Sequence, residues 1–484
     1  SCFSTIQTVV LPAAIVVFAC QIILNNQICP NKLYSAVRGL KMPSVYQTSL
    51  TAQLLDLIDV NPSHLDRAGA SLHLLDWLGC ALAGSVTKTG RAMALTAGTI
   101  RHPLSPENRS LGEVAFALGG FGSLLEMDDV HRDSILHPGP VIWPAVIACT
   151  TTENSDRSLD AALRGYESMI RLGKSVGQSH YAHFHNTSTC GGLGSAVAAA
   201  WMFGLDREKT QWAMAHALST SGGLWECRNE AGATKHLHIA EAARRGVQAA
   251  LAAQSGIAGP LRILEGAQGF YAGLAPDGSS EILLDGPMWA LNETSFKPWP
   301  ACRHAHAAID AALILRDMRL GQPERIVIET YADAVLFCDR PNPLDPEAAR
   351  FSLQHAVAVA LIDGPPTLEA FEKDALEKFK YKSIQKICVV EEDKALTAAY
   401  PAHFGARLRM TVAGTETVVH VPDAWGDTEN PMSNGAVVDK FKMLAGWAGV
   451  DPVALKKAAF NIDTGAFELR DLLAALPAPQ YKEK

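Results

Sequence analysis

From Leu50 to about Gly273 the 484-residue chain repeats apolar side chains at i, i+3, i+4 and i+7 nearly without a break. Segments such as Ser71–Ala83, Gly192–Phe203 and Ile239–Ala253 are rich in Ala and Leu and carry Gly or Ala on several faces. Small residues on more than one face let helices approach closely, so this stretch predicts one large all-α domain with a buried bundle core. Around Phe296 the texture changes. Arg325–Tyr331, Arg407–Val412 and Thr417–Val421 alternate and are β-branched, and the last two flank Ala413–Glu416 as a short hairpin connection. Helical patterns at Ala349–Ile362 and Thr367–Lys378 lie between the strands. After Pro431 the helical pattern returns in Val437–Ala448 and Ala466–Ala475. The expected fold is therefore mainly α: a discontinuous helical domain over 42–292 and 430–484, with a smaller α+β lid, 293–429, inserted and a cleft between them.

Residues 1–41 are expected to be an appendage outside that fold. The first 31 residues carry no charge, and Val9–Leu24 is almost wholly apolar. A membrane anchor flanked by Lys32, Arg38 and Lys41 and an extra packed helix are the alternatives, and membrane association is expected only for the anchor. Pro12, the lack of a basic segment before the apolar run and a first residue other than Met weigh against it.

The composition of the full chain, 48% apolar and 19% charged, is that of a globular enzyme. A formal net charge of −8 gives no global attraction to nucleic acid or to an anionic membrane. An anionic substrate would need a local cationic pocket. Ten cysteines without a C-x-x-C pair, mostly in apolar or small-residue surroundings, read as reduced, mostly buried and cytoplasmic.

Four windows far apart in the chain each hold a pair of histidines beside another reactive group. Glu126-Met127-Asp128-Asp129-Val130-His131, followed by His137-Pro138, fits an acid/base and substrate-orienting site, a set of caps and ion pairs, or a divalent metal site. The H-E-x-x-H spacing that would favour a metal is absent. Tyr181-Ala182-His183-Phe184-His185 runs into Cys190-Gly191-Gly192-Leu193-Gly194, a helix start with Asn186 or Thr187 as cap, where the helix dipole could also favour a carboxylate. Lys235-His236-Leu237-His238 opens an apolar helix. Its lysine is either a solvated charge or a cleft-facing group whose pKa is lowered toward that of a general base. Cys302-Arg303-His304-Ala305-His306 follows Lys297 near the expected domain junction, and the planar fork of Arg303 suits a carboxylate.

These windows, as MDDVHRDSILHPGP, FHNTSTCGGLGSA, TKHLHIAEAARRG and KPWPACRHAHAAIDAAL, together with CDRPNP, resemble the MmgE/PrpD family over about residues 47–476. That family includes 2-methylcitrate dehydratase, cis-aconitate decarboxylase and iminodisuccinate epimerase. The resemblance implies a helical domain in two segments, an α+β lid, a homodimer, a small di- or tricarboxylate substrate, and no metal, nucleotide or iron–sulfur cofactor. It places Lys235 at the family's active-site lysine, His137 at the histidine of its His-Pro motif, and His306 at a third site histidine. Tyr181 falls where the epimerase resemblance has the partner of a Tyr/Lys acid–base pair. Glu126, Asp129, His131, His185, Arg303 and His304 are the accompanying substrate-binding candidates. Departures from decarboxylase-like members, Glu126 for aspartate, Val130 for threonine and Phe337 for a lid tyrosine, argue against decarboxylation of cis-aconitate. The expected chemistry is proton abstraction next to a carboxylate, ending in epimerisation or dehydration, with 2-methylcitrate dehydratase proper as an alternative. A metal-dependent hydrolase and a non-catalytic binding protein are the competing classes.

Overall fold

The computed structural model describes residues 49–98, 104–106, 109–229, 232–476 and 481, and the expected appendage lies outside them. No helix among the described residues is long and apolar enough to cross a membrane. The described chain is mainly helical with one four-stranded sheet, as its two periodicities predict.

α1 (His64–Ser85) and α2 (Leu111–Ser123) each open on a capping box, Ser63 with Asp66 and Ser110 with Glu113. Each box satisfies amides that a first helical turn leaves bare. α3 (Gly139–Cys149), α4 (Ser158–Ser175), α5 (Asn186–Met202) and α6 (Thr234–Gln254) complete the central bundle. Every residue of α3 is buried, which explains why its apolar side chains run all round rather than along one stripe. The close approach inferred from Gly and Ala is visible where helices cross. A Cβ at Gly194 of α5 would lie 2.5 Å from the carbonyl oxygen of Gly165 in α4, and one at Gly246 of α6 would lie 2.3 Å from the Ser195 Cβ. Any larger residue there would force the helices apart.

The helix through Gly192 begins at Asn186, where the sequence places its start, but neither expected cap serves as one. Asn186 donates to the Ser134 carbonyl at 2.9 Å, and the Thr187 hydroxyl accepts the His137 amide at 3.1 Å. Both residues tether the loop between α2 and α3 instead.

One apolar core joins residues between Leu54 and Leu291 to residues between Phe441 and Leu473, and a second is built between Trp299 and Ala424. In the second, α7 (His306–Asp317) and α8 (Leu353–Asp363) pack with strands β1 (Arg325–Thr330), β2 (Cys388–Glu392), β3 (Ala406–Val412) and β4 (Thr415–Val421). The strand order is β2-β1-β3-β4, with β1–β2 parallel and the other pairs antiparallel. Ala406, Leu408 and Met410 alternate inward, while Arg407 and Arg409 reach Glu329 at 3.0 Å on the opposite face. The β3–β4 connection is tighter than the sequence suggests. Only Ala413 and Gly414 form it, both with positive φ, as a two-residue turn matched to strand twist requires.

The helix expected over Ala349–Ile362 is split, because the Ser352 hydroxyl accepts the His355 amide and starts α8 afresh. Thr367–Lys378 is also broken. Glu372 takes extended backbone there, and its carboxylate accepts from Arg350 at 2.9 Å.

Candidate active site

The loop from α2 to α3 supplies the reactive edge of a narrow cavity of about 100 Å³. Asp129 fixes that loop. Its Oδ1 accepts the Gly139 amide at 2.8 Å, and its Oδ2 accepts the Tyr166 hydroxyl at 2.7 Å and lies 2.8 Å from His73 Nδ1. A reciprocal pair of backbone bonds between Val130 and Ser295 ties the loop to the segment leading into the second core. That segment is pinned in turn where Phe296 donates to the Gly426 carbonyl. Glu126 holds left-handed backbone, φ 54°, an uncommon state for a residue with a Cβ and one that gathers at functional sites.

From Glu126 runs a chain of alternating charge. Lys235 Nζ lies 2.5 Å from Glu126 Oε1, Lys297 Nζ lies 3.5 Å from Glu126 Oε2 and 3.3 Å from Asp128 Oδ1, and Asp128 Oδ2 lies 3.0 Å from His137 Nδ1. Lys297 is fully buried at the centre of this chain. Burial raises the Glu126 carboxyl, but Lys235 and Lys297 outweigh it and hold the group well below the carboxylate range. Burial opposes the charge of Asp128 as well, yet Lys297 and His137 bring it down to about 2. His137 Nδ1 also contacts the Asp129 carbonyl at 3.0 Å. A carbonyl oxygen can only accept, so Nδ1 carries a proton and Nε2 is the nitrogen of this ring that remains to meet a substrate in the cavity it lines.

Lys235 faces this cavity rather than bulk solvent, and the expected depression of its pKa is reversed. Burial pushes it down, but Glu126 pushes it further up, so the side chain is an ammonium and not a free base. Tyr181 also lines the cavity, with its phenol raised by burial and by Asp333. No hydrogen bond joins Tyr181 to Lys235 among the described residues.

The opposite wall comes from the second core. His304 is clamped between Phe337 and Phe404, at centroid distances of 5.1 and 5.5 Å, with Nδ1 2.6 Å from the Tyr331 hydroxyl. Burial, reinforced by Lys235, drives its pKa down to about 3, so the ring is neutral. His185 packs against Trp225 with ring centroids 4.5 Å apart and is likewise held neutral by burial. Cys302, Arg340 and Arg350 complete this side, and Arg350 Nε has no hydrogen-bond partner. Burial raises the Cys302 thiol, but Cys338, Lys235 and the His304 amide together bring it below the usual thiol value.

Glu126, His137, Tyr181, His185, Lys235, Arg303 and His304 thus converge on one cavity. Three candidates do not reach it. Asp129 is consumed by the bonds that hold its loop. His131 is buried with Nδ1 2.9 Å from the Ser134 hydroxyl and Nε2 3.6 Å from Glu293. His306 is buried at the start of α7, where Nε2 donates to the Ala301 carbonyl at 3.0 Å and Nδ1 faces Arg303 at 3.3 Å. Arg303 touches the cavity, but its guanidinium is paired with the buried Asp427 and so is not a free carboxylate fork. Sequence reasoning left Lys297, Trp225, Arg340 and Arg350 out of the site. Lys297 and Arg340 stand within KPWPACRHAH and CDRPNP, which were the available signal.

Among the described residues, the cavity's histidines and carboxylates do not form a three-ligand metal group. The group that does converge, His403, Asp423 and Glu429, lies elsewhere and already has Arg132 on both its acids.

Comparison with known proteins agrees with this layout. Residues 58–282 match the MmgE/PrpD N-terminal domain, and residues 299–458 match the MmgE/PrpD C-terminal domain. Cis-aconitate decarboxylase of Homo sapiens is 32% identical over 272 residues, covering 54% of this chain and 56% of that protein. A cis-aconitate decarboxylase-like protein of Aspergillus oryzae is 24% identical across 90% of this chain and 98% of its own length. The 2-methylcitrate dehydratase of Salmonella typhimurium is 26% identical over 43% of this chain and 45% of its own length. The mouse and human decarboxylases are matched over about half of their length, 55% and 56%. With the two family domains together spanning most of the sequence, the chain belongs to the MmgE/PrpD family.

Proposed function

We propose that the chain is a lyase that dehydrates a small 2-hydroxy di- or tricarboxylate, with His137 Nε2 taking the proton from the carbon next to a carboxylate. The observation that carries this reading is the ordered chain Lys235–Glu126–Lys297–Asp128–His137, which ends on a single imidazole lining the cavity. Asp128 orients the imidazole and stabilises its charge as it accepts the proton. The Lys235 ammonium, with Arg340 and Arg350 nearby, faces the negative charge that develops on the carboxylate. The carbon–oxygen bond then breaks, and the hydroxyl takes up a proton that originates in solvent and leaves as water.

Epimerisation through a Tyr181/Lys235 pair is less well supported, since one member must accept a proton and both are held protonated. Decarboxylation is the second reading, favoured by the names of the relatives. Val130 and Phe337 line the cavity where decarboxylase-like members are expected to carry hydroxyls, which speaks for dehydration. Function as a homodimer in the cytoplasm, independent of a bound cofactor, belongs to the same proposal, as does movement of residues 293–429 as a lid.

Incubation of the purified protein with a panel of di- and tricarboxylates in D₂O, followed by NMR and CO₂ measurement, separates the activities. Loss of water to give an unsaturated product is expected. Deuterium incorporation with inversion and no water loss, or CO₂ release, would replace this reading.

A further inference from the structure

Dehydration, as proposed above, needs a proton for the departing hydroxyl, and Lys235 and Tyr181 both hold theirs tightly. His185 and His238 offer another source. Their rings lie 5.7 Å apart between centroids, at 47°. Each has an Nδ1 that is enclosed and has no hydrogen-bond partner, an arrangement that calls for an explanation because buried polar nitrogens are almost always satisfied. Among the described residues neither Nε2 is hydrogen-bonded to the protein. The two rings open on different spaces: His185 lines the reaction cavity, whereas His238 lines a separate cavity of about 630 Å³ that is open to solvent. The cavities share Cys227 and Gly232 in their walls. The histidine pair therefore runs from the wall of one cavity to the wall of the other.

We propose that His238 and His185 form a proton relay that carries a solvent proton to the leaving hydroxyl; this rests on the dehydratase reading. His238 takes a proton on Nε2 from solvent and, once the rings turn to bring their two enclosed Nδ1 atoms, unbonded at rest, into hydrogen-bond reach, passes its Nδ1 proton to His185 Nδ1. His185 releases its own Nε2 proton to the hydroxyl as the carbon–oxygen bond breaks. Both rings are neutral before and after, each having exchanged one tautomer for the other, and one proton has crossed from the open cavity to the closed one. Burial keeps both rings from resting as cations, which suits transfer through rather than storage. His185 is the catalytic member because it lines the reaction cavity. His238 acts through it.

The test uses His238→Ala and His238→Gln in the full-length protein, with thermal melts to establish folding and imidazole added to the assay. The expected result is a fall in kcat on the order of 10²-fold in both, with KM within about twofold of the parent. Imidazole diffusing into the open cavity restores most of the rate in His238→Ala but little in His238→Gln, where the amide fills the space. Unchanged kcat in the variants, or a loss that imidazole does not repair in folded His238→Ala, overturns the relay while leaving the dehydratase reading intact. If the parent enzyme removes water from no carboxylate in the panel, the dehydratase reading fails first and the relay falls with it.

Discussion

The two walls of the cavity are built on different physical terms. The bundle side presents ionised groups that neutralise each other in sequence, Lys235 against Glu126 and Lys297 against Asp128, inside a core where an unpaired charge would be costly. The sheet side presents a neutral imidazole locked between phenylalanine rings, with Arg340 and Arg350 at its margin. On the proposed reading, the bundle wall supplies the paired charges and the base, while the sheet wall supplies shape and desolvation, with arginines only at its margin. The contrast also explains why the lysine is not a base: the same carboxylate that makes its burial tolerable keeps it protonated.

The most direct way to break this division is to remove the cation. Lys235→Ala should lower kcat by on the order of 10²-fold or more with a smaller effect on KM, because the ammonium acts mainly on charge that appears in the transition state. Lys235→Arg should keep part of the activity, roughly a tenth, since it retains the charge but not the compact geometry. Steady-state kinetics check both. An inactive Lys235→Arg alongside normal substrate binding would return the lysine to the role of proton acceptor.

Glu126→Gln tests the neutralising partner. It leaves Lys235 and Lys297 buried without their shared acid, so a stability loss of about 3–5 kcal/mol by denaturant titration is expected. The alkaline limb of the rate profile should also move to lower pH, because the largest influence raising Lys235 is gone. A limb that stays in place would mean that Lys235 does not govern it.

Much of this layout was legible in the sequence. Helical spacing with Gly and Ala on several faces correctly implied tight crossings, because that pattern serves no purpose on a solvated helix. The motifs located Lys235, His137 and Tyr181 because their residue types are unusual at the starts and ends of apolar helices. What sequence could not supply was direction. Asp128 and Asp129 are neighbours, yet one side chain joins the ion chain and the other holds the loop. β2 was missed for a related reason. Its five residues carry no hairpin signal, and it pairs in parallel with a strand more than fifty residues earlier.

The neutral histidines predict how the fold responds to acid. His236 and His355 are held down to about 4 and His304 to about 3, in each case chiefly by burial. Once the chain unfolds they charge at their ordinary value of 6.5, so between 6.5 and about 4 the unfolded state binds more protons than the fold. Stability therefore declines as pH falls through that window, because each ring that is charged only in the unfolded chain costs the fold ~1.4 kcal/mol for every pH unit crossed, and three such rings together remove on the order of 10 kcal/mol, enough to unfold a typical domain. Below about 3.8, protonation of Asp128 in the unfolded chain adds to the loss until about pH 2. Denaturant titrations from pH 7.5 to 4.5 check the first part; a flat profile would show that these rings are not buried neutral.

The smallest effect is expected within a single motif and sharpens the comparison most finely. His304 and His306 stand two residues apart in CRHAH, but only the first meets the cavity. His306 makes its bonds to Ala301 and Arg303, holding the turn that starts α7. His306→Gln keeps an amide donor for the Ala301 carbonyl, so kcat should change by less than about threefold while the melting temperature falls by a few degrees. His304→Gln, which removes the ring packed between Phe337 and Phe404, should cost roughly tenfold or more in kcat/KM. Equal losses at both positions would mean that the sheet-side wall acts as one rigid unit and that His304 has no contact with substrate of its own.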